Sequence, residues 1–280
     1  MTGLQKQTAT RYFLFSSFLC TLILVSCTND NTEEEANPLG LPKTVSELYQ
    51  DGSNIGELKG TCTYNENKLV EIYCNSSQKK VFTYSGNVIS KMEYYQAGTL
   101  RFEHTYTYEN DILVEYKNAD FQTGNIHTIQ YIHETNGTVK YYEEFSFNGS
   151  LSWTKEGTIT FANDNIVEDV AEFTFVGVED EFNVIVNVLE YDDKPNPYKS
   201  ILGYSALLNL KGTIGNHNIV SDYSYITSYK NGVQYAESLT GKEYEITYDA
   251  ANRPIQMDRY SNEDIGGEIL YLDRIYKFTY

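Results

Sequence analysis

One short unit recurs along most of this 280-residue chain and limits what the chain can fold into. Each copy has a run of alternating residues, an aromatic anchor that usually follows a threonine, a turn of Asn, Asp or Gly, and a second alternating run. Alternation with period two is typical of a β-strand, and these turn residues tolerate the left-handed backbone of tight hairpins. The repeat is therefore predicted to be a β-hairpin. Its anchors are Tyr64, Tyr84, Tyr108, Tyr131, Phe161 and Tyr248.

The same alternation divides each strand into two faces. In EYEITY, the side chains of Tyr244, Ile246 and Tyr248 point one way, while the glutamates and the threonine point the other. HTYTY at 104–108 and RIYKFTY at 274–280 divide in the same way. A sheet with one aromatic and one polar face follows. We predict an all-β fold, an antiparallel meander of repeated hairpins that forms a strongly curved sheet or a closed barrel.

The best-preserved copy, ITYDAANRP at 246–254, resembles the YD repeats of rearrangement-hotspot-type proteins, in which a Tyr-Asp pair before a turn marks each hairpin. The other copies carry a different residue in place of Asp249. The stretches EYDDKPNPYKSILGYSALL and GNHNIVSDYSY also resemble small Bacteroidota lipoproteins of unknown function, and this resemblance covers most of residues 58–280. Some related families are described as porin-like in fold. The resemblance implies a closed or nearly closed meander barrel and no established activity.

The beginning of the chain reads as a processing segment. Lys6 and Arg11 precede YFLFSSFLCTLILV at 12–25, an uncharged apolar run that is short for a membrane span and suits a signal peptide. LVSC at 24–27 matches the lipobox of bacterial lipoproteins, and this resemblance implies cleavage before Cys27 and acylation of that residue. The alternative is an ordinary secretory signal with a chance cysteine.

Several acyl chains on one residue would anchor the protein on a membrane without spanning it. Thr28 stands where many Gram-negative lipoproteins with inner-membrane retention carry Asp, which favours the outer membrane. TNDNTEEE resembles the acidic stretch of surface-exposed Bacteroidota lipoproteins, although a solvated tether would look the same. We predict a lipoprotein signal peptide at 1–26, the lipidated Cys27 with a flexible acidic tether at 27–55, and a single hairpin-repeat domain at 56–280 exposed at the cell surface.

The charge of the chain excludes one class of partner. All 39 acidic residues follow the predicted signal, which takes two of the 21 basic residues with it, so the mature net charge is −20. A surface of this sign repels nucleic acid and anionic lipid, and no basic cluster interrupts it. We therefore expect no nucleic-acid partner.

Two cysteines, Cys62 and Cys74, remain in the predicted domain. Two thiols in an envelope protein are candidates for a disulfide. If TCTYNENKLVEIYC is a hairpin that turns at 65–67, Cys62 faces about Val70 and Cys74 lies further along the strand. That offset is long for a bridge within a regular strand pair, so the sequence does not decide whether the two cysteines form a disulfide.

The alternation fails between Tyr191 and His217. DDKPNP reads as a turn, and Pro195 and Pro197 exclude a central strand. The following YKSILGYSALLNL is predicted to form a short helix with an apolar side made of Ile201, Leu202, Leu207 and Leu208. We expect this segment to be a plug or lid that closes one end of the curved sheet, the alternative being a ligand-gating loop.

No catalytic constellation stands out. HETNG at 133–137 lacks the second histidine of a zincin motif, and GYSAL at 203–207 lacks the second glycine of a nucleophile elbow. The four histidines are scattered, and the acidic turns lack the spacing of a calcium loop. We therefore expect no enzyme activity, no metal and no cofactor. Paired carboxylates for glycoside hydrolysis are not visible in a sequence, which leaves a polysaccharide hydrolase as an alternative.

Aromatic residues are the best candidates for ligand contacts, because tyrosine and tryptophan stack on sugars and fill protein interfaces. Trp153, Tyr198 and Tyr204 lie where the repeat is weakest, and Trp153 is either an exposed stacking platform or a core anchor. We predict a surface-anchored, non-enzymatic lipoprotein that binds a glycan or an extracellular protein, or that supports the envelope. A membrane-embedded outer-membrane barrel is the other alternative, since porins also alternate and Tyr280 is a terminal aromatic residue.

Overall fold

The fold is a meander of sixteen antiparallel strands that closes into a barrel in the computed structural model, which describes residues 40–51, 54–75, 77–211, 213–262 and 271–280. Each strand pairs with its sequence neighbours, and the first pairs with the last. The strands are β1 Thr44–Asp51, β2 Asn54–Asn65, β3 Lys68–Asn75, β4 Gln78–Ser85, β5 Val88–Gln96, β6 Thr99–Glu109, β7 Ile112–Asp120, β8 Ile126–His133, β9 Val139–Phe147, β10 Ser150–Ala162, β11 Asn165–Phe175, β12 Glu181–Pro195, β13 His217–Lys230, β14 Val233–Tyr248, β15 Pro254–Asn262 and β16 Tyr271–Thr279.

The pairing of β1 with β16 closes the barrel. It runs from Thr44 opposite Thr279 to Tyr49 opposite Arg274. Closure satisfies the backbone groups that a free sheet edge would expose. The predicted all-β meander is therefore confirmed in its closed form. The expected boundary at residue 56 is wrong, because Thr44–Asp51 forms a barrel strand rather than part of a tether. The predicted signal peptide, Cys27 and the acidic stretch after it lie outside the described residues.

The Thr-aromatic pairs of the repeat coincide with β-bulges. The register shifts at Thr63/Tyr64, Thr83/Tyr84, Thr107/Tyr108, Thr160/Phe161 and Thr247/Tyr248. A bulge places two residues opposite one and bends the strand. In four of these hairpins a two-residue turn follows, and at 110–111 both turn residues have a positive φ, of 51° and 64°. The repeated motif therefore bends the strands at one end of the barrel.

The hydroxyl groups of the anchors join neighbouring hairpins. Tyr84 Oη accepts a hydrogen bond from the backbone N of Leu69 at 3.0 Å, and Tyr108 Oη donates to the carbonyl of Ile89 at 2.9 Å. Tyr280 Oη donates in the same way to the carbonyl of Pro254 at 2.9 Å. These bonds explain why the repeat uses tyrosine where phenylalanine would fill the same space.

Paired residues on neighbouring strands share a face, so the buried positions identify the inner wall. On β8, Ile129 and Tyr131 are buried and point inward, while Gln130 between them is exposed. On β14, Ile246 pairs with the buried Met257, which turns the predicted aromatic face of EYEITY towards the interior. The prediction of one aromatic and one polar face is confirmed.

The connection between β12 and β13, residues 196–216, fills one end of the barrel and is called the plug below. Leu202 N donates to the carbonyl of Asn67 at 2.9 Å, and a Cβ on Gly203 would lie 2.9 Å from the carbonyl oxygen of Asn87. The plug therefore packs against the β2–β3 and β4–β5 turns. Its apolar side chains belong to the hydrophobic core; they are Ile201, Leu207, Leu208 and Ile214.

The plug differs from its prediction in two details. Instead of one short helix it has two 3₁₀ turns, Tyr204–Ala206 and Leu208–Leu210, because Gly203 takes a left-handed φ of 74° just before them. β12 continues as far as Pro195, where its pairing with β13 becomes irregular, so the proline ends the strand instead of excluding it. None of the helices among the described residues is long and apolar enough to cross a membrane.

Candidate functional site

The inner wall of β6–β11 carries a continuous aromatic belt. Trp153 stacks on Phe145, with ring centroids 5.5 Å apart and planes 13° apart. Phe173 lies 5.2 Å from the Trp153 ring, and His127 lies 5.8 Å from it. The belt continues in both directions through Tyr116, His104 and Tyr106 and through Phe175. It gives this half of the lumen an apolar surface with a few hydrogen-bonding atoms.

A buried carboxylate, Glu143, lies beside the belt and is fully paired. Its Oε1 lies 2.6 Å from His127 Nε2, and its Oε2 lies 2.5 Å from Lys155 Nζ. Burial by itself would raise the pKa of Glu143, but the hydrogen bond from His127 and the charge of Lys155 outweigh it and lower that pKa below its ordinary value. Glu143 is therefore held as a carboxylate.

A second buried carboxylate, Asp169, ties the plug to the barrel wall. It is 1% exposed, and its Oδ2 accepts hydrogen bonds from Lys211 Nζ of the plug at 2.6 Å and from Asn187 Nδ2 at 3.1 Å. Tyr141 Oη donates to Asp169 Oδ1 at 2.8 Å. Burial lowers the pKa of Lys211. The attraction of Asp169 offsets part of this decrease. This network fixes the position of the plug inside the barrel.

A cavity of about 290 Å³ lies between the plug and the inner wall of β13–β16, and we call it the lumen cavity. The plug supplies its floor, and apolar side chains of β13, β15 and β16 supply part of its wall. The polar part of the wall comes from inward positions of β13–β16. The lining residues are Asn196, Pro197, Tyr198, Thr213, Asn218, Ile219, Asp222, Lys242, Tyr244, Met257, Arg259, Tyr276 and Phe278.

The charged groups of the lumen cavity are paired. Arg259 donates from Nε to Asp273 Oδ1 at 3.0 Å and from Nη2 to Asp273 Oδ2 at 2.5 Å. Its Nη1 donates to Tyr276 Oη at 3.2 Å. Lys242 Nζ lies 3.3 Å from Asp222 Oδ2. Burial by itself would lower the pKa of Arg259, but the bond to Asp273 raises it, so the guanidinium stays charged. The wall is polar but carries no unpaired charge at these positions.

Asn218 lines the cavity, and its amide oxygen is a buried acceptor without a partner in the part of the chain that the structure describes. The residue is 1% exposed, and its Nδ2 donates to Asp192 Oδ2 at 3.2 Å and to the carbonyl of Lys194 at 3.2 Å. The hydroxyl of Tyr248 also donates to Asp192. Among the described residues, Asn218 Oδ1 has no hydrogen-bond partner. A buried acceptor without a partner is uncommon and calls for an explanation.

The predicted ligand-contact residues do not form one site. Tyr198 and Tyr204 stack on each other in the plug, with centroids 4.9 Å apart, and Tyr198 also contacts Phe278 and lines the lumen cavity. Burial raises the pKa of Tyr204 to about 12, as expected of a packing residue. Trp153 lies in the aromatic belt, half-buried, and its recorded ring contacts are with other belt residues.

The two cysteines are free thiols on neighbouring inward positions. Cys62 pairs with Ile72 and not with Val70, because the hairpin turns at 66–67 and the bulge at Tyr64 shifts the register. Cys74 is thus two residue pairs further along, at the next inward position of β3. Burial raises the pKa of Cys62 to about 11, which makes its thiol unreactive at neutral pH. The disulfide stays a prediction. No cluster of three or more potential metal ligands occurs in the described part of the chain.

Sequence reasoning missed the polar residues of the lumen cavity. A signal was nevertheless present, because Lys242 shares the alternating face of Tyr244 and Ile246. A charged residue at an inward position of a strand is costly unless it has a partner. Arg259 is likewise a charged residue at an inward position, on the next strand, where it pairs with Tyr244.

Fold and lumen together define the class: a closed sixteen-strand meander barrel, plugged at one end, with an aromatic and polar interior. No family model matches the chain, and a search of curated proteins finds no similar sequence. Among solved structures, the chain is similar to a porin-like protein from Bacteroides uniformis ATCC 8492. The two share 12% sequence identity over 85% of this chain and 97% of that chain, with a TM-score of 0.47.

Proposed function

We propose that the protein is a non-enzymatic, ligand-binding barrel of the outer membrane, held at the cell surface outside the membrane hydrocarbon by a lipid on Cys27. The observation that carries this proposal is the charge of the outer wall. Outward positions of most strands carry acidic or basic side chains; they include Lys59, Glu71, Lys91, Glu93, Glu103, Glu115, Lys117, Lys140, Glu144, Glu156, Glu168, Glu172, Glu243 and Glu245.

A wall of this kind is the reverse of a membrane-spanning barrel. Membrane barrels carry an apolar band about 25 Å tall on the outside, and a lysine at the bilayer midplane costs about 2–4 kcal/mol. Here Glu93 and Glu103 are directly opposite each other on β5 and β6, and Lys91 Nζ lies 3.0 Å and 3.8 Å from them. Such charge clusters are stable in water. The apolar surface faces inward, where it packs around the plug.

The lumen supports a binding function. Small-molecule sites are concave and mostly apolar, with a few polar groups that fix the ligand's orientation. The lumen cavity has this composition, and its floor is held in place by the buried pair Lys211–Asp169. The inward side chain of Lys242 remains 45% exposed, so solvent reaches the polar wall.

The paired state of the buried carboxylates supports a non-enzymatic role over the hydrolase alternative. Glycoside hydrolysis needs a carboxylic acid with a raised pKa and a second carboxylate nearby. The pKa of Glu143 is shifted in the opposite direction, and Asp169 is engaged by three donors. Neither carboxylate is suited to act as the general acid.

A membrane-embedded outer-membrane barrel is the second candidate. The closed meander with an even number of strands favours it, since bacterial outer-membrane barrels have this architecture. An apolar stripe on the outer side of β12 and β13 also favours it; it contains Phe182, Val184, Val186, Val188, Tyr225 and Tyr229. This stripe covers two strands, whereas a membrane barrel needs an apolar band around its whole circumference.

Replacing the lipidated residue separates the two candidates. For a Cys27→Ser variant whose own signal, residues 1–26, is replaced by a general secretory signal that is cleaved without a cysteine, we expect a protein that leaves the membrane fraction and stays monodisperse without detergent, because its outer wall is polar. Cell fractionation followed by size-exclusion chromatography measures this, with the wild-type protein in the membrane fraction as the control. A variant that stays in the outer membrane and requires detergent would favour the embedded barrel.

A further inference from the structure

We propose that the lumen cavity binds a neutral saccharide, with one sugar ring between the plug and the wall of β13–β16. This inference rests on the proposed ligand-binding function and names the site and the ligand class. At about 290 Å³ the cavity lies at the lower limit of small-molecule sites, which span about 300–1,000 Å³. A volume of this size suits one ring of a glycan better than an extended chain.

The buried amide oxygen of Asn218 points to a ligand that donates hydrogen bonds. Its Nδ2 is occupied by Asp192 and Lys194, which fixes the orientation of the amide and leaves Oδ1 buried and without a partner among the described residues, in a residue that lines the cavity. A buried acceptor that loses water without gaining a donor destabilises the folded protein. A hydroxyl group of a ligand that shifts the cavity lining enough to reach Oδ1 would supply that donor.

The charge pattern favours a neutral ligand. Lys242 is offset by Asp222, and Arg259 is held by Asp273, so the lining offers neither the unpaired cation that an anion needs nor an unpaired carboxylate for a cation. The paired groups still offer hydrogen-bond capacity. A guanidinium has five N–H donors, of which Arg259 uses three, and an ammonium has three. A ligand with many hydroxyls matches such a wall.

Aromatic rings complete the chemistry. Tyr198 and Phe278 meet edge to face at the plug side of the cavity, with centroids 6.1 Å apart, and Tyr244 and Tyr276 lie on the polar wall. A sugar ring presents C–H faces that stack on aromatic rings and hydroxyl edges that hydrogen-bond to polar groups. A saccharide uses both kinds of surface at once.

An array of oligosaccharides tests this inference with the whole mature protein, lipidated and kept in a detergent without a sugar headgroup. The array contains neutral and uronic-acid oligosaccharides. We expect binding to one or more neutral members, weakened at least about tenfold by Asn218→Leu and by Lys242→Met. Lys242 is partly exposed, so the second variant should fold even if the first does not. Tyr225→Phe, on the outer wall, is the matched control and should bind as the wild type does.

The remaining outcomes separate the inference from the function on which it rests. Binding that neither cavity variant weakens would overturn the assignment to this cavity while leaving a ligand-binding barrel; loss on Trp153→Ala would then place the ligand at the aromatic belt. Binding of uronic acids alone would overturn the neutral class. If no saccharide bound, the inference would fail, whereas the proposed location at the membrane surface is decided independently by the fractionation of Cys27→Ser.

Discussion

Replacement of Lys211 by methionine is expected to lower the free energy of unfolding by about 3–5 kcal/mol, because it leaves the Asp169 carboxylate buried without a cation. Asp169 would keep its hydrogen bonds from Tyr141 and Asn187, which do not neutralise its charge. Urea unfolding at pH 7, followed by tyrosine and tryptophan fluorescence, measures the change. We expect the transition midpoint to fall sharply with little change in slope.

Two further variants control this experiment. Lys230→Met removes the cation of a solvent-exposed pair with Glu181 and should change stability little, because exposed pairs are well screened. The double variant Lys211→Met with Asp169→Asn removes both charges and should recover much of the loss. If Lys211→Met lowered the free energy of unfolding as little as Lys230→Met does, the Lys211–Asp169 pair would not be what holds the plug to the wall.

Acidification from neutral pH towards pH 4 is expected to destabilise the protein through His104. Burial, with smaller contributions from the nearby Lys80 and His127, lowers the pKa of His104 to about 4. An unfolded histidine titrates near 6.5, so between about pH 6.5 and 4 the unfolded state binds more protons than the folded state. The free energy of unfolding therefore falls as pH falls through this window, by up to about 3 kcal/mol from this group. Above pH 6.5 its contribution is constant.

The measurement is the urea midpoint at a series of pH values from 7.5 to 4 for the wild type and for His104→Gln. The variant removes the titrating ring, which lies 2.8 Å from Tyr116 Oη through its Nδ1, and should show a shallower fall on acidification. His133→Gln, at a more exposed position, is the matched control and should keep the wild-type slope. Identical slopes in all three proteins would mean that His104 is protonated as easily in the folded barrel as in the unfolded chain.

The parts of the fold that the sequence predicts are those that depend on local patterns. Period-two alternation assigns Tyr244, Ile246 and Tyr248 to one face, and Tyr244 and Ile246 do pack against the core inside the barrel. The loss of alternation after Tyr191 marks the plug. The repeated Thr-Tyr pair indicates a hairpin, but its role as a bulge needs the register, because a single extra residue leaves the alternation on each side unchanged.

The parts that the sequence does not predict depend on distant or irregular contacts. The pairing of β1 with β16 joins residues that are far apart in the chain, such as Thr44 and Thr279, and no local pattern specifies it. The plug forms 3₁₀ turns because Gly203 must fit against the β4–β5 turn, which is a tertiary constraint. The lumen cavity likewise combines residues of the β12–β13 connection with the four later strands β13–β16. Only its inward charges, Lys242 and Arg259, are visible from alternation.

Spin labels on the outer wall test directly whether the barrel lies outside the membrane hydrocarbon. Single nitroxide labels at Glu103→Cys and Glu172→Cys, in a background without Cys62 and Cys74, would report the surroundings of β6 and β11 in native outer membranes. If the wall faces water, both labels should collide more with a water-soluble nickel chelate than with oxygen, as a label at Asn110→Cys in the β6–β7 turn should. Greater collision with oxygen at positions 103 and 172, typical of hydrocarbon, would contradict a barrel that lies outside the membrane.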